Sequence, residues 1–130
     1  MEPPAFLVTN PYPIVLCFLP LWQKEPRGVL DSADVRSTIG AVSALGAKVS
    51  LERQIDGTLA GGVTGWGAEG PKQPEGPIDC GNSGTTSRLL MGILAPWSIR
   101  VQITGDESLQ KRPMRRIIAP LMKMGASFEP

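Results

Sequence analysis

Residues 35–49 read VRSTIGAVSALGAKV, and residues 114–128, 79 positions further along, read MRRIIAPLMKMGASF. Overlaid, Arg36 meets Arg115, Ile39 meets Ile118, Gly46 meets Gly125 and Ala47 meets Ala126. Identities this few carry little weight alone. Duplication is favoured over chance because both copies follow one pattern, a helix stopped by glycine and leading into a strand. A repeated unit of this kind alternates strand and helix and implies an α/β fold.

Outward from the first copy, Asp31 or Ser32 can cap a helix over 33–45, with Asp34 favourably placed in its first turn and Gly46 as the left-handed terminator. Ser37, Gly40, Ala41 and Ala44 recur at helical spacing and form a small-residue face suited to close approach by another backbone. Residues 48–55 alternate as a strand, Asp56-Gly57 offers a hairpin turn, and 58–60 returns. The Gly- and Pro-rich stretch 61–76 reads as a loop. Beyond it the pattern predicts a short strand at 78–80 and a helix over 87–94 halted by Pro96. Ile99, Val101 and Ile103 alternate with Arg100 and Gln102 as a half-buried strand. Pro113 suits the first turn of a last helix that reaches Met124 and closes on Gly125.

Composition narrows the chemistry. A chain of 130 residues accommodates one domain. It contains no histidine, which excludes Ser-His-Asp and Cys-His nucleophiles and histidine-ligated metal sites. Acid/base work would fall to carboxylates, lysine or water. Thirteen Lys and Arg against twelve Asp and Glu exert no overall pull toward nucleic acid or membrane, so any anion site must be a local cluster. Cys17 and Cys80 form neither a C-x-x-C pair nor a disulfide framework, and a reducing, cytoplasmic location is expected. Residues 1–28 carry six prolines and read as an atypical Pro-rich arm without a long helix. The apolar run 14–19 is too short for a membrane span, which needs roughly 20 residues. Glu2 stands where a signal peptide would be basic. The run reads as a buried or edge strand, or as part of an arm that is disordered or held by a partner.

Two segments are candidates for chemistry. In DCGNSGTTSR, residues 79–88, small and hydroxyl-bearing residues run into a helix start whose free N–H groups attract an anion, and Arg88 adds a planar donor. The same residues also read as an ordinary strand-to-helix turn capped by Ser or Thr. In TGDESLQKRPMRR, residues 104–116, Lys111, Arg112, Arg115 and Arg116 crowd a helix start, where exposed cations are disfavoured by about 0.3–1 kcal/mol each. Asp106 and Glu107 offset them internally in one reading, and a bound phosphate or carboxylate does so in the other.

The stretches LDSADVRSTIGAVSALGA (30–47), DCGNSGTTSRLLMG (79–92) and TGDESLQKRPMRRIIAPLMKMGA (104–126) together resemble the N-terminal half of the 5-enolpyruvylshikimate-3-phosphate (EPSP) synthases. The likeness implies a partial inverse α/β barrel-like domain built from βαβαββ repeats over residues 29–130. It also implies transfer of the enolpyruvyl group of phosphoenolpyruvate to the 5-hydroxyl of shikimate 3-phosphate, a step of the shikimate pathway to aromatic amino acids, with release of phosphate and no metal or organic cofactor. A related transferase that acts on UDP-N-acetylglucosamine shares the fold, but its reactive-cysteine loop has no counterpart here. Carried onto this chain, Asn82, Gly84 and Thr85 line the phosphoenolpyruvate pocket, which also receives glyphosate, and Arg112 holds the anionic group. Arg88 and Arg36 match recurrent basic positions, and Leu89 stands where many relatives have proline.

The family's Lys-Ser-x-Ser-His-Arg segment has no match in residues 1–28, and 130 residues leave no room for the second domain with its acidic catalytic residue. The expectation is a truncated synthase, whose partners are small anionic substrates and either a complementary synthase fragment or further copies of itself. The alternatives are a non-catalytic fragment that binds phosphoenolpyruvate, shikimate 3-phosphate or glyphosate, and a folded remnant.

Overall fold

The computed structural model describes residues 23–67 and 69–129. The strand expected at 14–19 lies outside the described residues. An antiparallel hairpin joins β2 (Lys48–Arg53) to β3 (Leu59–Thr64), with Lys48 opposite Thr64 and Arg53 opposite Leu59. Asp56 shapes its turn by accepting from the Thr58 amide at 2.9 Å and hydroxyl at 2.7 Å, while Gly57 supplies a φ of +84°. β2 therefore stops at Arg53 rather than 55, because Gln54 bonds Thr58 across the turn at 2.7 Å. β3 runs to Thr64, so Gly61 and Gly62 belong to the sheet and not to the expected loop. A Cβ at Gly61 would overlap the Ser50 carbonyl oxygen, and glycine here lets the two backbones close.

β1 (Gln23–Lys24) pairs antiparallel with the other edge of β3, giving the order β1-β3-β2, and Val29 bridges Leu59. Gln23 and Lys24, assigned by composition to the proline-rich arm, thus join this sheet, and the Pro26 carbonyl accepts from the Gly61 amide at 3.2 Å. A second, parallel pair consists of β4 (Ile78–Asp79) and β5 (Ile103–Thr104). The ladder is shorter than the alternation suggested, yet Ile99, Val101 and Ile103 all pack against the core as expected.

Four helices complete the unit among the described residues: α1 (Ala33–Ala44), α2 (Gly84–Leu94), α3 (Glu107–Gln110) and α4 (Arg115–Lys123). Ser32 caps α1, its hydroxyl accepting from the Val35 amide at 3.2 Å. α2 begins three residues before the expected Ser87, because Ser83 accepts from the Thr86 amide at 3.1 Å and captures the turn. The expected last helix is present but begins two residues after Pro113, and a short helix that was not expected precedes it. Asp106 caps the short α3, and α4 starts beyond Pro113, at Arg115, with no side-chain cap on Met114.

The repeat is written into both helix ends. Gly46 and Gly125 adopt φ of +104° and +102°. At the first, the amides of Gly46 and Ala47 bond Ser43 and Val42 carbonyls; at the second, Gly125 and Ala126 bond Met122 and Leu121, all at 3.0–3.1 Å. Both are Schellman terminators.

Val35, Ala41 and Val42 of α1 and its C-cap Leu45 meet Leu59, Val63, Ile78, Cys80, Leu90 and Leu94 in one core. The expected small-residue face is split: Ala41 is buried and Ser37 half-buried, while Gly40 and Ala44 are exposed, because the stripe through Val35, Val42 and Leu45 removes more apolar area from water. Ser37 does admit a neighbouring backbone, for a Cβ on Gly81 would lie 3.1 Å from its Oγ. A buried hydroxyl chain links α1 to α2: Thr38 and Ser83 each lie 2.7 Å from the Thr86 hydroxyl, and Thr38 donates to the Asp34 carbonyl at 3.0 Å. These bonds satisfy groups that burial would otherwise penalise.

Candidate functional site

Both chemistry-bearing segments lie at the C-terminal ends of the parallel strands, because β4 runs into the loop 80–83 and β5 into the loop 105–106. The two loops are tied together. The Asp106 amide donates to the Gly81 carbonyl at 2.9 Å, and the Gly81 amide donates to Asp79 Oδ1 at 2.8 Å. Asp106 accepts from the Leu109 amide at 2.8 Å and from Asn82 Nδ2 at 2.9 and 3.1 Å. Those bonds, the Leu109 amide foremost, hold its carboxyl below the usual carboxylate range. Asp106 thus supports this junction while ionised, and the support fades as pH falls below the ordinary value of 3.8.

Arg112 reaches back across the loop. Its Nη2 donates to Asn82 Oδ1 at 2.7 Å, while its Nη1 lies 2.9 Å from where a Cβ on Gly84 would be. Arg88 extends over the same spot, its Nη1 at 3.7 Å from that position. Gly84 is buried beneath the two guanidinium groups, in the first turn of α2. Thr85 is the next residue of that turn, half-buried, and makes no hydrogen bond to Asn82 or Arg112 among the described residues. The structure therefore brings Asn82, Gly84, Arg88 and Arg112 together and sets Thr85 beside them.

The other cations disperse. Lys111 pairs with Glu107 at 2.8 Å, Arg36 forms a two-point pair with Asp31 at 2.8 and 3.1 Å, and Arg115 and Arg116 are exposed. Internal compensation thus accounts for Lys111. The Arg112 side chain bonds a neutral amide oxygen and makes no ion pair among the described residues, with the Asp106 carboxylate attracting it only at longer range, behind Asn82. Sequence reasoning treated Asp106 only as a compensating charge. Its role as a cap was signalled by its position three residues before Leu109, at the start of a helical turn.

Cys80 adjoins this loop but is no nucleophile. Burial, aided by Asp79, pushes its thiol up to about 11, so it is protonated at neutral pH. Iodoacetamide at pH 8 should label the Cys80 peptide rapidly in urea and only slowly in the native chain, by mass spectrometry; rapid native labelling would contradict this burial.

Parallel strands joined through a helix, with two arginines gathered at their C-terminal ends, define an α/β fragment. The EPSP synthase (3-phosphoshikimate 1-carboxyvinyltransferase) family model matches residues 13–129, and the chain belongs to that family. It is 45% identical over 113 residues to the 3-phosphoshikimate 1-carboxyvinyltransferase of Nitrobacter winogradskyi, covering 87% of this chain and 25% of that protein. The Listeria innocua protein of the same name is 49% identical over 102 residues, with coverages of 78% and 23%. An EPSP synthase structure from Acinetobacter baumannii superposes with a TM-score of 0.75 at 36% identity, over 88% of this chain and 25% of that one. The fold is accordingly the inverted α/β type. The chain spans about a quarter of the length of the curated relatives it matches. No helix among the described residues is long and apolar enough to cross a membrane.

Proposed function

We propose that residues 29–130, with β1 at the sheet edge, form one wall of the substrate cleft of a 3-phosphoshikimate 1-carboxyvinyltransferase. In this reading Arg112 holds an anionic group of phosphoenolpyruvate, the turn Asn82, Gly84 and Thr85 receives the rest, and Arg88 adds positive potential. The observation that carries it is the meeting of Arg112 and Arg88 over Gly84, with Arg112 in no ion pair among the described residues. A guanidinium fork held over helix amides matches a phosphate or carboxylate in both geometry and charge. When a complementary synthase fragment supplies the opposite wall, the enolpyruvyl group passes to the 5-hydroxyl of shikimate 3-phosphate and phosphate leaves, in the cytoplasm and without a cofactor.

Phosphate release from the two substrates tests this. The chain alone is expected to be silent, and coexpression with the remaining family segments is expected to restore turnover. Silence with every complement would overturn the synthase reading.

A second reading, binding without turnover, is favoured by the presence of an assembled Arg112–Asn82–Asp106 network within this chain. Calorimetric titration with phosphoenolpyruvate, shikimate 3-phosphate and glyphosate should then give saturable heat from the isolated chain. Absence of heat with all three would dismiss it and favour a remnant that only folds or self-associates.

A further inference from the structure

Asp106 lies outside the residues expected to touch substrate, yet it decides what Asn82 can offer them. On the reading that Arg112 receives the anion, we propose that Asp106 is a positioning residue that locks the Asn82 amide with its oxygen toward Arg112. A carboxylate only accepts hydrogen bonds, so the NH2 end of Asn82 must face Asp106, as its distances of 2.9 and 3.1 Å to the two carboxylate oxygens show. A guanidinium only donates, so the opposite end, Oδ1, is the one Arg112 can use, at 2.7 Å. Donor and acceptor alternate from end to end of this chain, and reversing the amide would break both bonds at once.

Asp106 is itself immobilised. Its side chain takes the Leu109 amide at 2.8 Å, and its backbone is bonded to Gly81, next to Asn82 in sequence. With Nη2 engaged, Nη1 is the nitrogen presented at Gly84. Asp106 thereby sets the rotation of a guanidinium with which it shares no hydrogen bond.

The test uses the whole chain, labelled with nitrogen-15, and phosphoenolpyruvate as probe. Asp106→Asn keeps Oδ1, which takes the Leu109 amide and lies 3.1 Å from Asn82 Nδ2, but replaces the acceptor at 2.9 Å with an NH2 that repels the Asn82 amide hydrogens and loosens its orientation. Asp106→Ser keeps a capping hydroxyl and loses both acceptors for Asn82. Both variants should move the Asn82 side-chain amide resonances and the Arg112 guanidinium signal. They should also weaken phosphoenolpyruvate binding about tenfold, one charge-assisted hydrogen bond's worth. Unchanged Asn82 and Arg112 signals in both variants would overturn the proposal. If the parent chain gives no phosphoenolpyruvate heat, the binding reading fails separately, and the resonance shifts alone decide the positioning role.

Discussion

Replacing Arg112 with alanine is expected to weaken phosphoenolpyruvate binding about 10- to 100-fold, the range for losing hydrogen bonds to a charged group. The thermal midpoint should hardly move, because Arg112 is half-buried and its described bond is to an exposed amide at the surface. Calorimetric titration and thermal unfolding on the same preparations check both halves. Equal affinity in the parent and the variant would remove Arg112 from the site. Gly84→Ala gives an independent arm: the new methyl would sit 2.9 Å from Nη1, which must swing away, so binding should fall without unfolding. The displaced atom is the end of a flexible side chain, so the fold itself yields cheaply.

The largest stability effect is expected at Leu45. It is 0% exposed, closes α1 and packs inside the single core, and its carbonyl accepts from the Lys72 amide at 2.7 Å. Leu45→Ala should cost about 2–5 kcal/mol, through lost apolar burial and the cavity left behind. Domains are stable by only about 5–15 kcal/mol in total, so the variant should unfold at far lower urea. The matched control is Met124→Ala, at the equivalent position of the second repeat copy. Met124 is 78% exposed, so its truncation should stay within about 0.5 kcal/mol. Similar urea midpoints for the two variants would refute the burial difference.

The same pair shows where sequence reasoning stops. The glycine stops were readable because a left-handed terminator is a local backbone demand that few residues meet. Asp56-Gly57, the α1 start and the alternation of Ile99, Val101 and Ile103 were readable for the same local reason. The start of α2 was misplaced because Ser83 and Thr86, the residue before the expected start, are both good caps by residue type, and only packing chose Ser83, whose hydroxyl joins the Thr38–Thr86 chain. β3 was cut short because glycine reads as loop unless a close opposing strand requires it.

At the candidate site, residue types announced a cluster of cations but not which of them would be left outside an ion pair. Lys111 and Arg112 are neighbours, yet one turns to Glu107 and the other crosses to Asn82, 30 residues away.

Unaided, the order of amino acids determined the α/β alternation, both helix terminators and the two turns that carry the candidate site, since each depends on residues within a few positions of one another. Tertiary structure alone decided that Leu45 is core while Met124 is surface, that Arg112 lies over Gly84, and that Asp106 orients Asn82. Those outcomes depend on which distant segments share space, and solvent exclusion and hydrogen-bond pairing settle that only when the chain has closed on itself.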